Sequence, residues 1–191
     1  MNRREALSAV GILLGGTVVG SAAFLEGCNS GGQKAAGLPL DPDTLNLLNE
    51  IADTILPTTP KSPGAKAANV ATFMNTMVID CYEERDQKIF LEGIDQLQTA
   101  CQIKFNSSFM DSTPEQRTSL LIELDHEQKS YSKLRKKEDP AHYFRMMKEL
   151  AILGYFSSEI GCTQALRYEA VPGRYEGCVP YQPGEKAWAT A

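Results

Sequence analysis

From about residue 40 onward, apolar side chains recur at intervals of three and four, and no stretch alternates convincingly at period two. That spacing predicts helices with one buried face, and so an all-α domain. Leu45, Leu48, Ile51, Ala52 and Ile55 share one face of a first helix, with Asp41 as its cap and Pro42 in its first turn. Pro57 and Pro60 end it, and "TTPKSPGAKA" reads as a loop. Val70, Phe73, Met74, Met77, Val78 and Cys81 mark a second helix whose methionine stripe is read as core packing. Ile89, Phe90, Ile94, Leu97 and Cys101 mark a third. A fourth opens on Thr113, Pro114 and Gln116, a capping-box pattern, and buries Leu120, Leu121 and Leu124. The run "KLRKKED" after it reads as a solvated turn closed by Glu138 and Asp139. The fifth and most apolar helix, "AHYFRMMKELAILGYFSSEIG", is expected to start at Asp139-Pro140 and to form the centre of the bundle. The fold expected is a compact bundle of about five helices with an irregular C-terminal segment.

The N-terminal pattern is of another kind. A short basic start precedes an apolar, Gly- and Ala-rich stretch from Ala6 to Leu25, with small residues at Ser21, Ala22 and Ala23. This is the layout of a signal peptide, too weakly hydrophobic for a permanent anchor. Arg3 and Arg4, followed by Leu7, match a twin-arginine export signal apart from Ala6, and a Sec signal is the alternative. Leu25, Gly27 and Cys28 are similar to a lipobox, with Glu26 as the departure. Cys28 is therefore a candidate for lipidation, which would anchor the protein to a membrane surface; cleavage near Ala23 is the alternative. The chain divides into a signal peptide (1–27), a flexible linker (28–39) and a helical domain (40–191).

The chain has 191 residues, 42 % of them hydrophobic, enough for one domain with a single core. A net charge of −5 argues against a nucleic-acid binder, which needs a basic surface. With Cys28 set aside, Cys81, Cys101, Cys162 and Cys178 form an even set in a chain addressed to an oxidising compartment, so disulfides are expected. Candidate chemistry is sparse. There is no CxxC, and two histidines give poor support for a metal site. Glu123 and His126 share a helical face but make a weak acid–base pair, and His142 has no partner in sequence. Ser157 and Ser158 lack an identifiable base, and no GxSxG or phosphate-loop glycine pattern occurs. No catalytic residue is assigned.

The most particular stretch is Tyr168-x-x-Val171-Pro172-Gly173-x-Tyr175-x-Gly177-Cys178-Val179-Pro180, preceded by "GYFSSEIGCTQALR" and, far upstream, by "DCYEERDQKIFLEGID". With these residues and the twin-arginine-like start, the chain resembles the gluconate 2-dehydrogenase subunit 3 family, from the signal to Trp188. The resemblance implies a small, non-catalytic subunit of a membrane-associated periplasmic dehydrogenase acting on sugars or sugar acids. It implies no cofactor on this chain, FAD in a large partner of the glucose–methanol–choline type, and a cytochrome c subunit carrying haem c, or another acceptor, for the electrons. It further implies that the small subunit's export signal carries the folded large subunit across the membrane.

The resemblance also places Cys81 and Cys178 in recurrent elements. A Cys81–Cys178 disulfide follows, leaving Cys101–Cys162, with Cys162–Cys178 as the rival. Val171-Pro172-Gly173-Arg174 suits a type II turn. Tyr168, Tyr175 and Tyr181, with Gly177 and Pro180, then make a stiff segment whose tyrosines either contact a partner or seal the core. Outside the resemblance, the competing readings are a stand-alone lipoprotein that binds a small molecule and a structural envelope protein.

Overall fold

The computed structural model describes residues 40–171, 173–174 and 177–189, which belong to one unit spanning Gly37–Ala191. Among these residues there are five α-helices, two short helical turns and no strand. The helices are α1 (Pro42–Ile55), α2 (Val70–Cys81), α3 (Glu84–Phe105), α4 (Pro114–Leu134) and α5 (Tyr143–Phe156). A 3₁₀ turn, Ala65–Ala68, precedes α2, and a π turn, Gly161–Ala165, follows α5. No helix among the described residues is long and apolar enough to cross a membrane. The expected signal, with Arg3, Arg4 and Cys28, lies outside the described residues.

The predicted starts of α1 and α4 are present in detail. Asp41 Oδ1 accepts the amides of Asp43 and Thr44, each at 3.0 Å, with Pro42 in the first turn. Thr113 Oγ1 accepts the Gln116 amide at 3.3 Å, and the Gln116 side chain accepts the Thr113 amide at 2.9 Å, completing the capping box. The ends of α2 are closed from other helices. Asn69, left-handed at φ 49°, makes no side-chain cap. Asn49 of α1 supplies it instead, taking the Ala71 amide at 3.0 Å and donating to Asn69 Oδ1 at 3.1 Å. At the other end Gln87 of α3 donates to the carbonyls of Ile79 and Tyr82 at 3.1 and 2.9 Å. Free helix ends carry unsatisfied backbone groups, so these side chains dock helices as well as cap them.

The fifth helix starts later than its sequence suggests. Asp139-Pro140 does not open it; His142 is the N-cap, its Nδ1 accepting the Phe144 amide at 3.2 Å. Asp139 instead folds back on the preceding turn, where its Oδ2 accepts the Lys136 amide at 2.7 Å. Once begun, α5 is the centre of the bundle and packs on each of the other four helices. It buries Tyr143, Phe144, Met146, Met147, Leu150, Ala151, Gly154 and Tyr155. The methionine stripe of α2 is core at Met74, with Met77 packed against its margin, but Cys81 at its end is exposed. Phe109, between α3 and α4, is fully buried without belonging to any periodic stretch. Burying a large apolar side chain is worth about 1.5–3 kcal/mol, so this loop residue counts as much as a helical one.

Candidate partner-binding surface

After α5 the chain makes its π turn, leaves the helical body, and returns to it at Trp188. The two ends of this excursion are fastened at Arg167. Its amide donates to the Ala187 carbonyl at 2.8 Å, and its carbonyl accepts the Ala189 amide at 2.9 Å, a one-residue parallel bridge. The Arg167 guanidinium lies 3.9 Å from the centre of the Trp188 ring, a cation–π contact. Glu185 Oε2 sits 3.7 Å from the same guanidinium, and Lys186 Nζ donates to the Gln164 carbonyl. Four kinds of interaction thus close the neck of a loop.

Before the neck the chain reverses at Gln182-Pro183-Gly184-Glu185, where the Glu185 amide donates to the Gln182 carbonyl at 3.1 Å. Gly184 has φ +87°, so Pro occupies the second position of the turn and a left-handed Gly the third, the requirement of a type II turn. The turn expected at Val171–Arg174 includes Pro172, which lies outside the described residues, as does Tyr175.

The loop is apolar and faces solvent. Val171 is 81 % exposed and Tyr181 74 %, with Tyr168, Val179 and Trp188 near half. Tyr168 and Tyr181 therefore do not seal the core. Gly177 and Pro180 are exposed on the same loop. The last turns of α5, leading into it, leave Ile152, Leu153 and Phe156 partly uncovered. Tyrosine, tryptophan and aliphatic side chains on a fastened loop offer a partner contact area that needs little further ordering.

No disulfide fastens this loop. Cys81, Cys101, Cys162 and Cys178 are free thiols, so neither Cys81–Cys178, Cys101–Cys162 nor Cys162–Cys178 is formed. The sulfurs are engaged elsewhere or left open. Cys101 is buried, with Sγ 3.3 Å from Ser112 Oγ; Cys162 Sγ donates to the Phe156 carbonyl at 3.1 Å; Cys81 and Cys178 are exposed. The covalent staple expected at Cys178 is replaced by the non-covalent neck at Arg167 and Trp188.

The weak acid–base candidates do not assemble. Glu123 is ion-paired with Lys104 rather than with His126, which is exposed. His142 works as a helix cap; its Nε2 lies 3.7 Å from Glu127, and its ring stacks on Tyr143 at 4.6 Å. Burial, and after it the Glu127 carboxylate, push the Tyr143 phenol up to about 12, so it stays neutral. A groove of about 290 Å³ between α1, α4 and α5 includes His126, but its other polar groups are already paired. Asp125 there takes both Lys129 and Lys148 at 2.6 Å, and these two ammonium groups, Lys129 first, hold its carboxyl well below the usual range. No group of three metal-ligating side chains converges among the described residues. Arg167, Trp188, Glu185 and Gly184 carry the loop's geometry, and none was singled out from sequence. The Pro-Gly pair at 183–184 was the available signal for the turn.

The family is given by comparison: the model described as gluconate 2-dehydrogenase subunit 3 matches residues 42–173. The chain belongs to that family. The match spans the whole bundle and ends at Gly173, so the rest of the exposed loop lies beyond it, whereas the sequence resemblance ran to Trp188. No curated protein matches the chain, and no solved structure does.

Proposed function

We propose that this chain is the non-catalytic accessory subunit of a periplasmic, membrane-associated, FAD-dependent sugar or sugar-acid dehydrogenase. In this reading it escorts its folded large subunit out of the cell interior by the twin-arginine route. Family membership supports association with a larger dehydrogenase subunit. The observation that carries the binding role is the apolar loop held out by Arg167 and Trp188, with Val171 and Tyr181 at 81 % and 74 % exposure. Side chains of that type cost free energy in water and regain it against a partner. FAD belongs to the large subunit and haem c to a third, cytochrome subunit, with none on this chain. Arg3 and Arg4 supply the export signal, and lipid on Cys28 ties the assembly to the membrane.

Co-expression with the large subunit tests the escort. Replacing Arg3 and Arg4 together by lysine keeps the charge and removes the guanidinium pair. The expected result is that both proteins remain in the cytoplasm. Full export of the large subunit beside the trapped variant overturns the escort role.

A further inference from the structure

The end of α4 carries a surface that the binding role leaves unused. Lys133 and Leu134 close the helix; Arg135, Lys136 and Lys137 follow within three residues. None of these four cations has an ion-pair partner among the described residues. Glu138 and Asp139 follow in sequence, Asp139 Oδ2 accepting the Lys136 amide at 2.7 Å, but neither forms an ion pair with these cations, and four cations against two carboxylates leave residues 133–139 net positive. Leu134 stands among the cations 86 % exposed. Tyr131, one helical turn earlier on the same side, is 37 % exposed, and its hydroxyl donates to the Pro140 carbonyl at 3.1 Å. In a chain with a net charge of −5, this is a local reversal of sign around an apolar tip.

We infer that the α4 tip is a docking surface for an anionic lipid membrane. Charge complementarity gives the sign of the partner, and the composition gives its kind. Protein interfaces are depleted in lysine and favour arginine, whereas three of these four cations are lysines. Lysines around an exposed leucine, with a tyrosine at the margin, match an interfacial site: ammonium groups reach lipid phosphates while the leucine enters the headgroup boundary. Each cation near an anionic surface strengthens partitioning by about fivefold, so the tip acts as a weak contact that orients a protein held to the membrane by other means. The orienting role rests on the proposed membrane tether, whereas vesicle binding by the tip is read without it.

Co-sedimentation of the full chain with phosphatidylcholine vesicles, with and without phosphatidylglycerol, tests it. The wild type is expected to bind the anionic vesicles better, and the gain to vanish at high salt. A Lys133→Glu, Lys136→Glu, Lys137→Glu variant shares every residue of the N-terminus, so its difference from wild type reports the tip alone. Loss of the three positive charges alone is expected to cost on the order of 100-fold in partitioning to anionic vesicles, and the three added carboxylates to deepen that loss. Leu134→Ser is expected to weaken binding to the anionic vesicles while keeping its salt dependence. Equal binding of wild type and the triple variant to anionic vesicles overturns the inference. So does a triple variant that loses the large subunit while its vesicle binding is unchanged, which would make the tip a protein interface.

Discussion

Arg117 shows how much of this fold hangs on single side chains. It is 14 % exposed and donates to the carbonyls of Phe109 and Met110 at 2.8 and 2.6 Å, while ion-paired with Glu50 of α1. Glu50 also takes Lys66 at 2.7 Å, so one carboxylate links α1, α4 and the turn before α2. At Gly93 the constraint is space: a Cβ there would lie 2.4 Å from Tyr143 Cβ, so α3 approaches α5 only because no side chain intervenes. The carboxylates set the acid response. Lys66, then Arg117, hold Glu50 below its ordinary 4.5, and Lys129, then Lys148, hold Asp125 below 3.8. A carboxyl group depressed in the folded state stabilises it above the unfolded value and loses that contribution as pH falls. The urea midpoint is therefore expected to fall progressively below about pH 5, and Asp125→Asn with Glu50→Gln to flatten that fall. A midpoint equally steep in the double variant would contradict these assignments.

Among the elements, the C-terminal loop depends most on one contact set. Arg167→Met keeps the stem's length and removes the cation–π and ionic contacts at the neck while leaving the bundle untouched. The expected outcome is faster hydrogen exchange at the Arg167 and Ala189 amides with little change in melting temperature. Unchanged exchange would show that the neck does not need the guanidinium. The elements also show where sequence was legible. Helices α1 and α4 could be read to the capping residue because Asp41-Pro42 and Thr113-Pro114-x-Gln116 are local codes, as was the central place of α5, through its continuous apolar run. The start of α5 was not, because Asp139 has two competing local uses and the backbone of Lys136 takes it. Phe109 was missed because its burial is tertiary, with its amide bound to Gln98 at 3.1 Å. The cysteine pairs are not formed, because the even count gives no positions and the recurrent elements that suggested Cys81–Cys178 fix neither residue in space; Cys101 behaves as a small buried apolar group beside Ser112. The neck was invisible because Arg167 and Trp188 come together only through an irregular segment with no period.

In the molecule as a whole, the described residues form a bundle closed around α5, with the apolar loop after α5 and the basic tip of α4 both exposed to solvent. The acid–base candidates of α4 do not meet, and the groove beside them is occupied by its own ion pairs. The chain belongs to a family of dehydrogenase subunits. On the proposed function, the loop after α5 binds the large subunit. The direct measurement is the affinity of the purified large subunit for wild type and for Val171→Asp with Tyr181→Asp. Both residues are highly exposed, so the variant should fold and melt as the wild type does. The variant is expected to lose at least ~10-fold in affinity, since aromatic anchors dominate such interfaces. Equal affinity of the two proteins for the large subunit, with both folded, would contradict it.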